Sequence, residues 1–166
     1  MSLLDSLLPE FDHEMGTTRR LLDRVPEGEF RWKPHDKSMS LGELSDHLST
    51  LTRWANLIAT STTFDLASLE SSRKPKVPGS RGEVLATFDK TVAAARAELA
   101  SKTDAELTAP WTLKSGDQEV FTIPRISAIR SFVINHVIHH RGQLSVYLRM
   151  KDVLLPAIYG PTADEP

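Results

Sequence analysis

Apolar residues three and four positions apart run through most of this chain, and that period of about 3.6 admits helices and little else. Over residues 3–25 the set is Leu3, Leu4, Leu7, Leu8, Phe11, Met15, Leu22 and Val25. Pro9 falls among them, where it either kinks the helix or sits in the first turn of its main part. A second helix opens at Ser40, which precedes Leu41 and has Glu43 three positions on, the pattern of a capping box. Its inward face, Leu41, Leu44, His47, Leu48, Leu51, Ala55 and Ile58, carries it to about Ser61. The third, from about Arg81 to Lys102, is alanine-rich (ATFDKTVAAARAELASK) and helical by propensity. A fourth starts near Pro124, with proline suited to a first turn, and runs to about Met150.

The segments between are of other kinds. PEGEFRWKPHDKSM, with two prolines and a glycine among charges, reads as a connecting loop, and residues 62–82, rich in Ser, Lys and Pro, as a long exposed one. In APWTLKSGDQEVFTIP two short β-compatible runs, WTLK and EVFTI, flank a Ser-Gly-Asp turn, so a small β-hairpin is expected before the last helix. The tail LLPAIYGPTADEP is expected to pack as irregular chain. Four long helices joined by loops predict an all-α fold, an α-helical bundle, as one domain over residues 1–166. A length of 166 residues is ample for a core.

Charge and cysteine content narrow the function. A net charge of −2 offers no global attraction to nucleic acid or to an anionic membrane. No apolar run reaches membrane-spanning length. MSLLDSLLPEF lacks a basic n-region and does not read as a signal peptide, so the cytoplasm is the expected compartment. The chain contains no cysteine, which excludes disulfides, thiolate metal sites and a protein-borne thiol nucleophile.

NHVIHHRGQ, residues 135–143, concentrates three histidines in five positions. On the fourth helix Ile129, Val133, His136, Val137, His140, Leu144, Tyr147 and Leu148 fall within roughly a third of the circumference. His136 and His140 therefore share the apolar stripe, one turn apart. His139 lies on an adjacent stripe with Phe132, Gln143, Val146 and Met150, and His47 sits inside the inward face of the second helix. Three inward imidazoles can share one ion, and three neutral donors leave a tetrahedral ion one open position. Zinc is expected, although imidazole also suits nickel, copper and iron. Inward histidines also occur as hydrogen-bonded core residues, and an i, i+4 pair is a weak motif taken alone.

LGELSDHLSTL together with NHVIHHRGQLSVYL resembles the DinB/YfiT-like superfamily, and VPEGEFRWKP and the closing PAIYGPTADE are similar to it as well. The resemblance spans nearly the whole chain. It implies an up-down-down-up four-helix bundle and a divalent metal held by His47, His136 and His140, the same three residues that helical spacing turns inward. It also implies a metalloenzyme, because characterised members include transferases and isomerases that use thiols such as bacillithiol or mycothiol. Here such a thiol must be a cosubstrate, acting on an electrophilic small molecule. A metal-dependent hydrolase and a non-catalytic, stress-associated metal-binding protein are the alternatives. Hydrolysis lacks an evident general base, since Asp46 adjoins His47 but points elsewhere on the helix.

Other polar residues have plainer roles. His13 and His35 are expected at the surface. Arg125, Arg130, Arg141, Arg149 and Lys151 scatter around the helix axis and read as solvated or ion-paired. Arg141, next to His140, is the one expected near a pocket, meeting an anionic substrate group. His139 is assigned to an interface: Phe132, Val146 and Met150 flank it and Ile134 and Ile138 occupy a further face, more apolar surface than one core buries. A homodimer is the expected state.

Overall fold

A computed structural model describes residues 2–69 and 76–165. The chain is mostly helical with a small three-stranded sheet. In chain order the helices are α1 (Leu4–Leu22), α2 (Leu41–Leu51), α3 (Arg53–Thr60), α4 (Arg81–Ala100), α5 (Asp104–Thr108), α6 (Arg125–Ile129) and α7 (Asn135–Met150). The strands are β1 (Thr63–Asp65), β2 (Pro110–Ser115) and β3 (Gln118–Pro124). Helix α1 packs on α4 and α7, α2 on the same pair, and α3 on α4 and α6. Their apolar stripes meet in one core containing Leu7, Phe11, Leu44, Leu48, Phe88 and Leu144. Burying each such side chain contributes about 1.5–3 kcal/mol.

Local chemistry sets the helix ends. The capping box at α2 forms as expected: Ser40 Oγ accepts from Glu43 N at 3.1 Å, and Glu43 Oε2 accepts from Ser40 N at 2.6 Å. These bonds satisfy two of the backbone donors that a helix start leaves open. Ser80 caps α4 and Thr103 caps α5 through the same side-chain contact. Pro9 lies inside a continuous α1. The second helix does not run unbroken to Ser61. It tightens at Thr52, whose carbonyl accepts from Ala55 N only three residues on, so α2 and α3 are separate segments.

The hairpin of β2 and β3 is antiparallel and turns at Gly116, whose φ of +61° suits glycine. Sequence reasoning placed residues 62–82 in a loop, and this needs correcting for residues 63–69. Thr63–Asp65 is a strand, paired in parallel with β2 (Thr63 with Thr112), and Leu66–Leu69 is a 3₁₀ turn. Residues 70–75 of that stretch lie outside the described residues. Asp65 closes the addition: its Oδ1 accepts from Ala67 N and Gly116 N, both at 2.9 Å. Arg125, buried, then locks the sheet end of the molecule to the helices. Its guanidinium donates to the carbonyls of Ile58, Ser61 and Glu106 at 2.6–2.9 Å, satisfying acceptors that helix ends leave open.

The last long helix also departs from regularity. Arg130–Ile134 forms a π turn between α6 and α7, in which Asn135 N bonds Arg130 O, five residues back. The wider turn broadens the inward face, and Ile134 joins Val133 and Val137 at 0% exposure. Ile134, expected on a partner-facing surface, belongs instead to the core of this chain. Val146 and Met150 do stay open, at 57% and 55%. The tail after Met150 has no regular structure and is tied back by ion pairs of Asp164 with Arg149 and of Glu165 with Arg20 and Arg24.

Candidate metal centre

The packing of α2 on α7 brings His47, His136 and His140 together, and one ligand nitrogen from each lies within 4.8 Å of the others. His47 Nε2 is 3.4 Å from His136 Nε2, which is 2.9 Å from His140 Nε2. Two nitrogens bound tetrahedrally at about 2.0–2.1 Å from one zinc ion stand about 3.3 Å apart. The cluster therefore has the dimensions of a metal site before any ion is considered. Among the described residues it contains no carboxylate.

The ring nitrogens facing away from the cluster decide what the inward ones offer. His140 Nδ1 lies 2.7 Å from Gln143 Oε1, an acceptor, so Nδ1 carries the proton. His136 is held by the backbone carbonyl of Phe132, within the π turn. The two Nε2 atoms stand 2.9 Å apart; where both rings carry their proton on Nδ1, the facing lone pairs repel and a cation between them would relieve it. Burial holds both imidazoles below the ordinary histidine pKa; the hydrogen bonds to Phe132 and Gln143 pull upward and offset only part of this. Both are neutral at pH 7, the form that ligates a metal.

The other polar residues named from the sequence separate cleanly. His13 and His35 are exposed. His139 is exposed too and does not join the cluster; its Nε2 accepts from Gln143 Nε2 at 3.2 Å. Four of the five cations near the C-terminus are ion-paired: Arg130 with Glu10, Arg141 with Glu14, Arg149 with Asp164 and Lys151 with Glu29. Arg141 needs correction as a substrate-binding residue. Its side chain is 1% exposed and pairs with Glu14 Oε2 at 2.7 Å. Further bonds run to the Glu14 carbonyl and to the hydroxyls of Thr18 and Tyr159. The neighbour of a ligand on a helix points about 100° away from it, and here that direction leads to α1. Both terminal nitrogens of this enclosed guanidinium are engaged by Glu14, Thr18 and Tyr159, away from the histidine cluster.

Sequence reasoning missed Gln143 as part of the site. Its spacing of three from His140 was the available signal, since i, i+3 side chains meet on a helix. It also missed an aromatic group beside His136. Phe132 stacks on Phe121 at 5.8 Å and on Trp54 at 6.0 Å, and Trp54 meets Phe64 edge-on at 5.1 Å. Of the tryptophans, Trp111 is fully buried, whereas Trp32 and Trp54 are partly open.

YrdA of Bacillus subtilis strain 168, an uncharacterised protein, is 27% identical over 165 residues, 98% of this chain and 91% of YrdA. The fold is similar to that of a DinB-like protein of Bacillus cereus, with a TM-score of 0.70 and 23% identity, over 94% of this chain and 97% of that one. A DinB-like protein of Bacillus subtilis has a TM-score of 0.67 and 18% identity, over 96% and 99% of the two chains. The family model of the DinB superfamily matches residues 10–144, a span that includes all three clustered histidines, and the chain belongs to that superfamily.

Proposed function

We infer that His47, His136 and His140 hold one divalent transition-metal ion, zinc in preference to nickel or iron, in an enzyme that transfers a low-molecular-weight thiol onto an electrophilic small molecule. The observation that carries this reading is the convergence of three imidazole nitrogens within 4.8 Å, two of them 2.9 Å apart. Held by these three neutral imidazoles, a divalent ion would supply the Lewis acidity that lowers the pKa of an incoming thiol. The protein contributes geometry: α2 supplies one ligand, α7 two, and the bonds to Phe132 and Gln143 hold the α7 rings in place. The thiol comes from outside, because the chain has no cysteine. The thiol would give up its proton to water, its sulfur would bond to the electrophilic carbon, and the halide, or the ring oxygen of an epoxide, would take the electron pair of the broken bond. Thiol transfer is preferred to hydrolysis because, among the described residues, no carboxylate joins the cluster to act as a base toward water.

Three further expectations accompany this reading. The packing of α1 and α2 against both α4 and α7 supports reading the long helices as an up-down-down-up four-helix bundle. Val146 and Met150, open on the stripe of His139, favour a homodimer through α7. Since no helix of the described residues is long and apolar enough to cross a membrane, a cytoplasmic setting is consistent with the chain.

Metal content tests the site first. Elemental analysis of purified protein is expected to give about one ion per chain. Alanine at His47, His136 or His140 should remove most of it, and His139→Ala should leave it nearly intact. Metal-loaded protein is then screened with several cellular thiols against chloro- and epoxide-type acceptors, with His136→Ala as control. A full metal site with no turnover above that control replaces transfer with hydrolysis or a binding role.

A further inference from the structure

The two histidines of α7 are secured by different means. His136 is tied to main chain, at the Phe132 carbonyl in the π turn, where no side-chain change can remove the acceptor. His140 is tied to a side chain, Gln143 Oε1 at 2.7 Å. That carboxamide is itself oriented: with Oε1 accepting from His140, its Nε2 donates to His139 Nε2 at 3.2 Å. The chain of contacts runs from the outer helix surface inward, His139 to Gln143 to His140 to the shared centre.

We propose that Gln143 is the positioning residue of this centre. Its carboxamide locks His140 in the Nδ1–H tautomer and aims the Nε2 lone pair at the point shared with His47 and His136, and His139 steadies the carboxamide. The inference rests on the metal reading above for its purpose, but the tautomer it assigns is a property of the metal-free protein.

An imidazole has two ring tautomers, and only the one protonated at Nδ1 has a lone pair on Nε2. The Nε2 atoms of the three histidines are the ones that converge, so the other tautomer would aim an N–H at the ion. A carboxamide oxygen excludes that tautomer, because it can accept and cannot donate. The same bond limits rotation of the ring about its stem. Hydrogen bonds of this kind to ligating histidines typically change metal affinity by about 10- to 100-fold. His139 should count for less, because an amide that loses this acceptor still keeps its bond to His140.

The variants are Gln143→Leu, which removes the acceptor, Gln143→Glu, which restores one, and His139→Ala. Gln143 lies only partly buried on α7, and thermal melting confirms that each variant is folded. Zinc affinity is measured by competition with a chelator, and the His140 tautomer by long-range ¹⁵N–¹H correlation in metal-free protein. The expected result is an Nδ1–H signal for His140 in the parent and in Gln143→Glu, lost or mixed in Gln143→Leu. Affinity should fall about 10- to 100-fold in Gln143→Leu, recover in Gln143→Glu and change less than about threefold in His139→Ala. A Gln143→Leu protein with the parent tautomer, or with affinity within about twofold of the parent, overturns the assignment. If the parent itself takes up no zinc, the metal reading fails, and the metal-free spectra still decide the role of Gln143.

Discussion

Replacing Arg141 separates two roles for that residue by a stability measurement. The side chain is 1% exposed, and its partner Glu14 is 8% exposed, so Arg141→Ala leaves a carboxylate inside the protein with its cation gone. The loss includes the 2.7 Å ion pair and the donors to the Glu14 carbonyl and the Tyr159 hydroxyl. Breaking a buried pair by deleting one partner costs about 3–5 kcal/mol. Unfolding entropy near 60 °C is about 2.1 cal/mol/K per residue, or roughly 0.35 kcal/mol/K over this length, so Tm should fall by about 9–14 °C. Urea and thermal unfolding of the metal-free protein measure it, which keeps ligand binding out of the comparison. The double variant Arg141→Met with Glu14→Leu should recover most of the loss, since an apolar pair of similar volume removes the stranded charge. A fall of less than about 1 kcal/mol in Arg141→Ala would refute the structural role and return the guanidinium to the list of ligand contacts.

Three other outcomes follow from the same coordinates. Because burial keeps His136 and His140 below the ordinary value of 6.5, zinc uptake at pH 7 should release fewer protons from them than from two ordinary imidazoles, and release should grow as pH falls; calorimetry in buffers of different ionisation enthalpy reads this. Their contribution to stability in the metal-free protein carries the same sign: it is intact above the unfolded value of 6.5 and is lost as pH falls through the depressed folded values. Gly42→Ala should destabilise by roughly 1–3 kcal/mol, since a Cβ there would stand 2.9 Å from the Phe30 carbonyl oxygen, whereas Gly16→Ala, with nothing within 4 Å, should stabilise by up to about 1 kcal/mol; equal effects in denaturant titrations would discredit the close approach of the loop to α2. Ser40→Ala should cost about 0.5–2 kcal/mol through loss of the capping box, with Glu43→Gln tolerated better because its amide oxygen still accepts from Ser40 N.

The histidine cluster was legible before the fold because helical geometry is local. A period of 3.6 places His136 and His140 on one face whatever α7 packs against, and the same rule turns His47 inward on α2. The capping box at Ser40 and the turn at Gly116 were legible for a like reason, since both depend on residues within a few positions of one another. The scatter of cations along the last helix predicted solvated or paired charges, and only the fold could supply the partners Glu10, Glu14, Glu29 and Asp164.

Everything that needed a distant partner was decided by tertiary structure. Three residues, Thr63 to Asp65, have too little pattern to mark a strand, and they become one because β2 offers an open edge beside them. No local signal marks the π turn at Arg130–Ile134, yet it widens the inward face within itself, placing Ile134 in the core instead of at a surface. Arg141 sits beside His140 in sequence, but one helical step directs it to Glu14 on α1, 127 residues away along the chain, and to Tyr159 of the tail, 18 residues away. Spacing along one helix determines directions; distances between helices, and with them the 3.4 Å between His47 and His136, exist only once the core has packed.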